Sequence, residues 1–166
     1  MQWAEGGAAV ARQHAGMVLV DAMNESHDDA DKAYEKARDI LKKHPDIKGF
    51  QGSASSDVIG IGRAIEEAGL QGKTCVYGTG LPSRTARLLE SGAVKGIGFW
   101  DPKNAGLAMN RVAKLLLDKK PITDGMDLGV PGYEQVIVRK GAGSGVVIIG
   151  KADVIADKAT YKSYPF

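Results

Sequence analysis

The chain has 166 residues, of which 43% are hydrophobic and 25% are charged, and its formal net charge is +2. This is the composition of a globular protein, and the length suits one domain. The nearly balanced charge gives no basis for binding nucleic acid or anionic lipid, because phosphate binding needs clustered cations. Cys75 is the only cysteine, which excludes an internal disulfide and a thiolate metal site. No apolar run reaches the length of a membrane span, and the opening MQWAEGG does not resemble a signal peptide.

Short apolar runs alternate with amphipathic stretches over the first 120 residues. Four runs predict strands, at 17–20, 47–52, 74–77 and 94–99. Five stripes of apolar residues at helical spacing lie among them: Trp3, Gly7, Val10 and Ala11; Ala30, Ala33, Tyr34, Ala37 and Leu41; Val58, Ile61, Ala64, Ile65 and Ala68; Ala86 and Leu89; and Ala105, Ala108, Met109, Val112 and Leu116. Such spacing turns one face of each helix towards a core. The alternation predicts an α/β fold, an open parallel sheet with helices on both faces.

Capping residues mark several of the predicted helix starts. Ser55, Ser56 and Asp57 are candidate N-caps of the third helix. Asp101 followed by Pro102 predicts the start of the fifth helix, since Asp accepts hydrogen bonds from free amides and Pro suits the first helical position.

The last part of the chain has a different pattern. The runs 135–139 and 146–149 are apolar and flank the glycine-rich segment 141–145, which predicts a β-hairpin. The stretch 153–166 is polar and shows no regular face. Neither an internal repeat nor a linker divides the chain into independent domains.

Two segments have the residues to bind a polar ligand. The first, 51–57, follows a predicted strand and begins a helix, and ligands of open parallel sheets bind beyond the carboxyl ends of strands. Its small hydroxyls and helix-start amides are donors and acceptors, although ordinary helix capping explains the same residues. The second contains Trp100 and Asp101 at the end of another strand. A Trp face stacks on the apolar face of a sugar ring and a carboxylate accepts hydroxyl hydrogen bonds, whereas the alternative is an N-cap Asp beside a core Trp.

The segment GAVKGIGFWDPKNAGLAMNRVAKLLLDKK, residues 92–120, resembles the late part of the sugar-binding proteins of bacterial ABC importers. It is most similar to the branch that contains the rhamnose-binding and autoinducer-2-binding proteins. QWAEGG at 2–7, DIKGFQGSASS at 46–56, VYGTGLPSRTARLLESG at 76–92 and the ending at 143–166 also fall in the family's order. The resemblance therefore covers nearly the whole chain.

This resemblance implies two lobes of parallel sheet, joined by three hinge strands with the ligand in the cleft, of which this chain would be the later half. It implies a second-lobe α/β domain at 1–100, a helix at 101–120 that packs on the first lobe, and a crossing segment, hairpin and tail at 121–166 that return to the second lobe. The ligand contacts carried over by position are Ser53, Ser55, Trp100 and Asp101. Because the autoinducer-2 branch has proline and alanine at the two loop positions, the two serines favour a sugar such as rhamnose.

The function expected from this resemblance is sugar binding for an ABC importer in the periplasm. Its partners would be a small sugar and the importer permease, with no nucleic acid, metal or cofactor. Autoinducer-2 binding and the effector-binding domain of a lactose-repressor-type regulator are the alternatives. A small α/β enzyme is disfavoured, because no acid–base pair or nucleophile constellation is found. An apolar stripe without its first-lobe partner would be exposed, so the isolated chain is expected to form a homodimer.

Overall fold

Helices and strands alternate through the first hundred residues of the computed structural model, which describes residues 2–21, 23–141, 143 and 145–166. The elements in chain order are α1 (Gln2–Arg12), α2 (Ala30–Lys43), β1 (Gly49–Gly52), α3 (Asp57–Glu67), β2 (Cys75–Thr79), α4 (Pro82–Ser91), β3 (Val94–Trp100), α5 (Pro102–Leu117), β4 (Ile137–Lys140), β5 (Val146–Ile149) and β6 (Asp153–Ala156). The chain divides into two units. The first comprises Met1–Gly98 and Ile155–Phe166, and the second comprises Phe99–Val154.

Four strands form one sheet in the order β1-β2-β3-β6. The pairs β1–β2 and β2–β3 are both parallel, and Phe50 lies opposite Val76 in the first of them. The strands predicted at 47–52, 74–77 and 94–99 are therefore confirmed as β1, β2 and β3.

Helices cover both faces of the sheet at β1. Gln51 lies against α1, and a Cβ added to Gly7 would be only 1.9 Å from its Oε1 atom. The next residue, Gly52, faces the start of α3, and its Cβ would lie 2.8 Å from the Cβ of Asp57. Because neighbouring residues of a strand point to opposite faces, α1 and α3 lie on opposite sides of the sheet.

The core of the first unit lies between its helices and the sheet. Its most deeply buried large side chains are Val58, Ile65, Val76, Leu88, Leu89, Val94 and Ile97. Helices α2 and α3 pack most closely at Gly60, where a Cβ would lie 2.2 Å from the carbonyl oxygen of Ala30. The stripe predicted for the third helix is mostly confirmed, although Ala68 at its end is exposed.

The second unit has a small core of its own. Its buried residues are Ala108, Leu128, Val130 and Val136, with Val112 and Leu115 of α5 packed against them. The predicted hairpin is confirmed, since β4 and β5 are antiparallel. The stripe predicted on α5 is only partly buried: Met109 is 72% exposed and Leu116 is 63% exposed. The buried side of α5 therefore contains Ala108, Val112 and Leu115, whereas Met109 and Leu116 of the predicted stripe lie outside it.

Three further predictions from the sequence are corrected by the structure. Residues 17–20 form no strand, and Met17, Val18, Leu19 and Val20 are all exposed. The first helix buries Ala8, whereas Trp3 and Val10 from its predicted stripe are exposed. The polar end at 153–166 is not irregular throughout, because it contains β6 and a 3₁₀ turn at Tyr161–Ser163. None of the described helices is long and apolar enough to cross a membrane.

Candidate functional site

One carboxylate holds the loop between β1 and α3. Oδ2 of Asp57 accepts hydrogen bonds from the backbone N–H groups of Ser53, at 2.9 Å, and Ala54, at 2.8 Å. Its Oδ1 accepts a hydrogen bond from the Ser26 hydroxyl. Since Asp57 belongs to the first turn of α3, these bonds tie the loop to a rigid element. The sequence identified Asp57 only as a candidate N-cap and gave no indication of this role.

The segment before α2 is tied to the same loop. The Ser56 hydroxyl donates a hydrogen bond to Asp28, so Ser56 precedes α3 without capping it through its side chain. Asp29 caps α2, and the hydrogen bonds from the N–H groups of Lys32 and Asp31 lower the pKa of its carboxyl. The loop is therefore held at its start by the hydrogen bonds to Asp57 and at its end by the hydrogen bond from Ser56 to Asp28.

Metal-binding residues are not clustered in the part of the chain that the structure describes. Within that part, no group of three or more His, Cys, Asp or Glu side chains could hold a metal ion. The Nδ1 atom of His27 lies 3.3 Å from Oε1 of Glu25, which is a single ion pair and not a metal cluster.

Ser53 and Ser55 lie half-buried in the loop that Asp57 holds. Neither hydroxyl makes a hydrogen bond with any residue that the structure describes, although the backbone N–H of Ser53 is bonded to Asp57. A serine hydroxyl can both donate and accept. The carboxyl end of β1 therefore presents two free hydroxyls on a fixed backbone, where the sequence predicts ligand contacts.

Trp100 and Asp101 lie together where β3 ends and α5 begins. Oδ1 of Asp101 accepts hydrogen bonds from the N–H groups of Lys103, at 2.8 Å, and Asn104, at 3.4 Å, which confirms the predicted cap. Its Oδ2 makes no hydrogen bond within the described residues and remains able to accept one. The Trp100 side chain is 49% exposed, so it is not a core residue. This pair belongs to the second unit, whereas Ser53 and Ser55 belong to the first.

The sequence did not identify a further group of residues near the end of β1. Trp3, Gly6, Gly7 and Gln51 line an open depression in the first unit. The helical spacing of Trp3 assigned it to a core, yet 65% of this residue is exposed. The available signal was Gln51, which opens the segment 51–57 singled out in the sequence and lies two residues before Ser53.

The end of the chain is held on α4 by Glu90. Its carboxylate accepts a hydrogen bond from the Tyr161 hydroxyl at 3.0 Å and pairs with Lys162 at 3.2 Å and Lys158 at 3.4 Å. The hydrogen bonds from Tyr161 and then from the two lysines lower the pKa of Glu90. The bond to Glu90 also raises the pKa of Lys162.

We expect Glu90→Gln to loosen the chain after residue 157. Because the pKa of Glu90 lies below its ordinary value of 4.5, its stabilising contribution is complete above that pH and is lost as the pH falls through the lowered value. Relative to the intrinsic exchange rate at each pH, the amides of residues 158–164 should be less protected in the variant at neutral pH, and the wild type should lose the same protection as the pH falls below 4.5. Glu35→Gln, at an exposed position of α2, is the control. Equal protection of this segment in the wild type and Glu90→Gln would contradict the expectation.

Comparison with known proteins identifies the family. A sequence model of the periplasmic binding protein domain matches residues 1–121. Among solved structures, LsrB from Clostridium saccharobutylicum in complex with AI-2 has a TM-score of 0.76 at 20% identity, over 98% of this chain and 53% of that one. An ABC transporter solute-binding protein from Clostridium phytofermentas with bound L-rhamnose has a TM-score of 0.78 at 17% identity, over 98% and 54%.

A third similar structure is GanP, a glucose-galactose binding protein from Geobacillus stearothermophilus, with a TM-score of 0.66 and 26% identity. The alignment covers 88% of this chain and 46% of GanP. The chain thus spans about half the length of the solved proteins it matches. The structural similarity confirms the α/β fold class predicted from the sequence. The chain belongs to the periplasmic binding protein family.

Proposed function

We propose that this chain is the sugar-binding part of a periplasmic solute-binding protein that serves an ABC importer. The residues proposed as ligand contacts are Ser53 and Ser55, through their hydroxyls, and Trp100 and Asp101, through a stacking face and an acceptor. The main support for the proposal is the loop after β1, which is held by hydrogen bonds to Asp57. There Asp57 fixes the backbone while both serine hydroxyls remain free for a ligand.

Preorganisation of this loop favours a small polar ligand. Because two loop amides donate hydrogen bonds to Asp57, the loop loses little conformational entropy when a ligand binds. The free Oδ2 of Asp101 suits ring hydroxyls, because a hydrogen bond to a charged acceptor contributes about 1.5–3 kcal/mol. The half-exposed Trp100 supplies an aromatic face beside it. These groups fit a monosaccharide.

A sugar fits the loop better than autoinducer-2 does. The autoinducer-2 branch resembles this chain but has proline and alanine where Ser53 and Ser55 stand. Two extra hydroxyls add hydrogen-bonding capacity that a sugar with a full set of ring hydroxyls can use. Autoinducer-2 remains the second candidate, because the complex of LsrB with AI-2 has the same fold.

The proposed activity is binding without turnover. In the whole protein, closure around the sugar would present the closed form to the permease of the importer in the periplasm. The chain alone should bind weakly. Losing even three net hydrogen bonds of about 1 kcal/mol each costs roughly a hundredfold in affinity.

Titration of the ¹⁵N-labelled chain with L-rhamnose, D-allose and D-galactose tests the proposal. Asp101→Asn should weaken binding of the preferred sugar about tenfold or more, because the amide keeps the helix cap but removes the charged acceptor. Asp46→Asn, in the exposed turn that enters β1 at its other end, should bind as the wild type does. Unchanged affinity in Asp101→Asn, or consumption of the sugar by the chain, would contradict the proposal.

A further inference from the structure

The open depression in the first unit has the chemistry of a second sugar contact. Trp3 lies in the first turn of α1, and Gly6 follows three residues later on the same side of the helix. Apart from the neighbouring backbone of α1, no atom of the described residues lies within 4 Å of the position a Cβ would take at Gly6. The space beside the exposed indole is therefore left open by the absence of a side chain.

Gly7 places an amide at the edge of this space. Because a Cβ at Gly7 would lie 1.9 Å from Oε1 and 2.4 Å from Nε2 of Gln51, any other residue there would displace that side chain. The carboxamide of Gln51 thus rests on the surface of α1. It makes no hydrogen bond with the described residues, and it can donate and accept at once.

The depression adjoins the loop that the proposed function uses. Gln51 and Ser53 are two residues apart at the end of β1, which is about 7 Å along an extended chain. A pyranose ring with its hydroxyls spans a comparable width. The depression around Glu90, by contrast, has no aromatic face, and its Lys158 and Lys162 are already paired.

We propose that Trp3, Gly6, Gly7 and Gln51 form a carbohydrate platform in the first unit. The apolar face of a hexose or 6-deoxyhexose ring stacks on the Trp3 indole in the space left open by Gly6, and the Gln51 amide exchanges hydrogen bonds with ring hydroxyls. An indole supplies a large apolar face, and an amide supplies both donor and acceptor, which is the combination that a sugar ring requires. The inference rests on the proposed function and extends its site.

Titration with L-rhamnose, followed by the two indole N–H resonances of the ¹⁵N-labelled chain, tests this platform. The Trp3 resonance should shift on addition of the sugar. Trp3→Ala should weaken binding roughly tenfold, whereas Trp3→Phe should retain part of the affinity. Gln51→Ala should weaken binding about fivefold. Val10→Ala, at another exposed apolar position of α1, should bind as the wild type does.

The outcomes separate the platform from the proposed function. If rhamnose binds and Asp101→Asn weakens it, but Trp3→Ala and Gln51→Ala bind as the wild type does, the platform is wrong and the sugar-binding function stands. If no resonance of the wild type shifts with any of the three sugars, both are wrong. Should Trp3→Ala fail to fold, Gln51→Ala still decides the question, because it lies on β1 and leaves α1 unchanged.

Discussion

Gly60→Ala should lower the melting temperature of the chain by roughly 4–8 °C. The added methyl would lie 2.2 Å from the Ala30 carbonyl oxygen and 2.7 Å from the Tyr34 backbone nitrogen, so α2 and α3 would have to move apart. Overpacking of this kind costs about 3 kcal/mol, and the contact is with backbone, which cannot rotate away. The higher helix propensity of Ala returns about 1 kcal/mol, which leaves a net loss of about 2 kcal/mol.

Gly62→Ala, two residues further along the same helix, is the matched control for this prediction. Its Cβ would lie 3.0 Å from Cδ1 of Leu88, the end of a flexible side chain. Both variants gain the same helix propensity, so the difference between their melting temperatures measures the close approach of α2 to α3. Thermal unfolding followed by circular dichroism gives both values. A Gly60→Ala variant as stable as Gly62→Ala would show that this approach is not tight.

The parts of the fold that could be predicted are those determined by local pattern. The strands β1, β2 and β3 are short apolar runs between amphipathic helices, and Asp101 followed by Pro102 marks a helix start whatever surrounds it. The strand predicted at residues 17–20 is wrong, because local pattern alone does not determine a strand. Their sequence suits a strand, but a strand also needs a neighbour for its backbone hydrogen bonds, and no described strand pairs with them.

The ligand contacts of the candidate site stay a prediction. Ser53 and Ser55 were proposed because ligands bind in the loop after a parallel strand, and because the resemblance aligned them. The hydrogen bonds that the loop amides donate to Asp57 could not be predicted, since an Asp at a helix start is ordinarily explained as a cap. Trp3 was placed in a core by its spacing, which reports the period of a helix but not which face another element covers.

Self-association through α5 is the remaining prediction with a large expected effect. We expect the mass of the chain in light scattering to approach twice 17.5 kDa at high concentration and to fall on dilution. The second unit covers only one side of α5, through Ala108, Val112 and Leu115. The exposed large apolar residues of the helix are Leu107, Met109, Leu116 and Leu117, with exposures of 45%, 72%, 63% and 84%.

A second copy of the chain is the occupant that we propose for this face. Met109 and Leu116 are seven residues apart, which aligns them on one side of the helix, and a twofold axis would bring two such faces together. Leu117 adjoins this side of α5, whereas Leu107 lies on the opposite side of the helix. Burial of six side chains, three from each copy, at about 1.5 kcal/mol each yields about 9 kcal/mol. Association costs of about 4–15 kcal/mol are of the same size, which is why the dimer should dissociate on dilution.

Met109→Lys should keep the chain monomeric, because a buried, unpaired ammonium group at the centre of the contact is strongly unfavourable. Gln13→Lys adds the same charge at an exposed position directly after α1 and should leave the dimer intact, so the pair separates a specific apolar contact from a general effect of charge. A mass of 17.5 kDa for the wild type at every concentration would contradict the prediction. Dissociation by Gln13→Lys as well would show a general effect of charge and would also contradict the prediction. Both variants leave Ala108, Val112 and Leu115 unchanged, so the core of the second unit is preserved. A lower mass in light scattering therefore reports dissociation of the dimer and not unfolding.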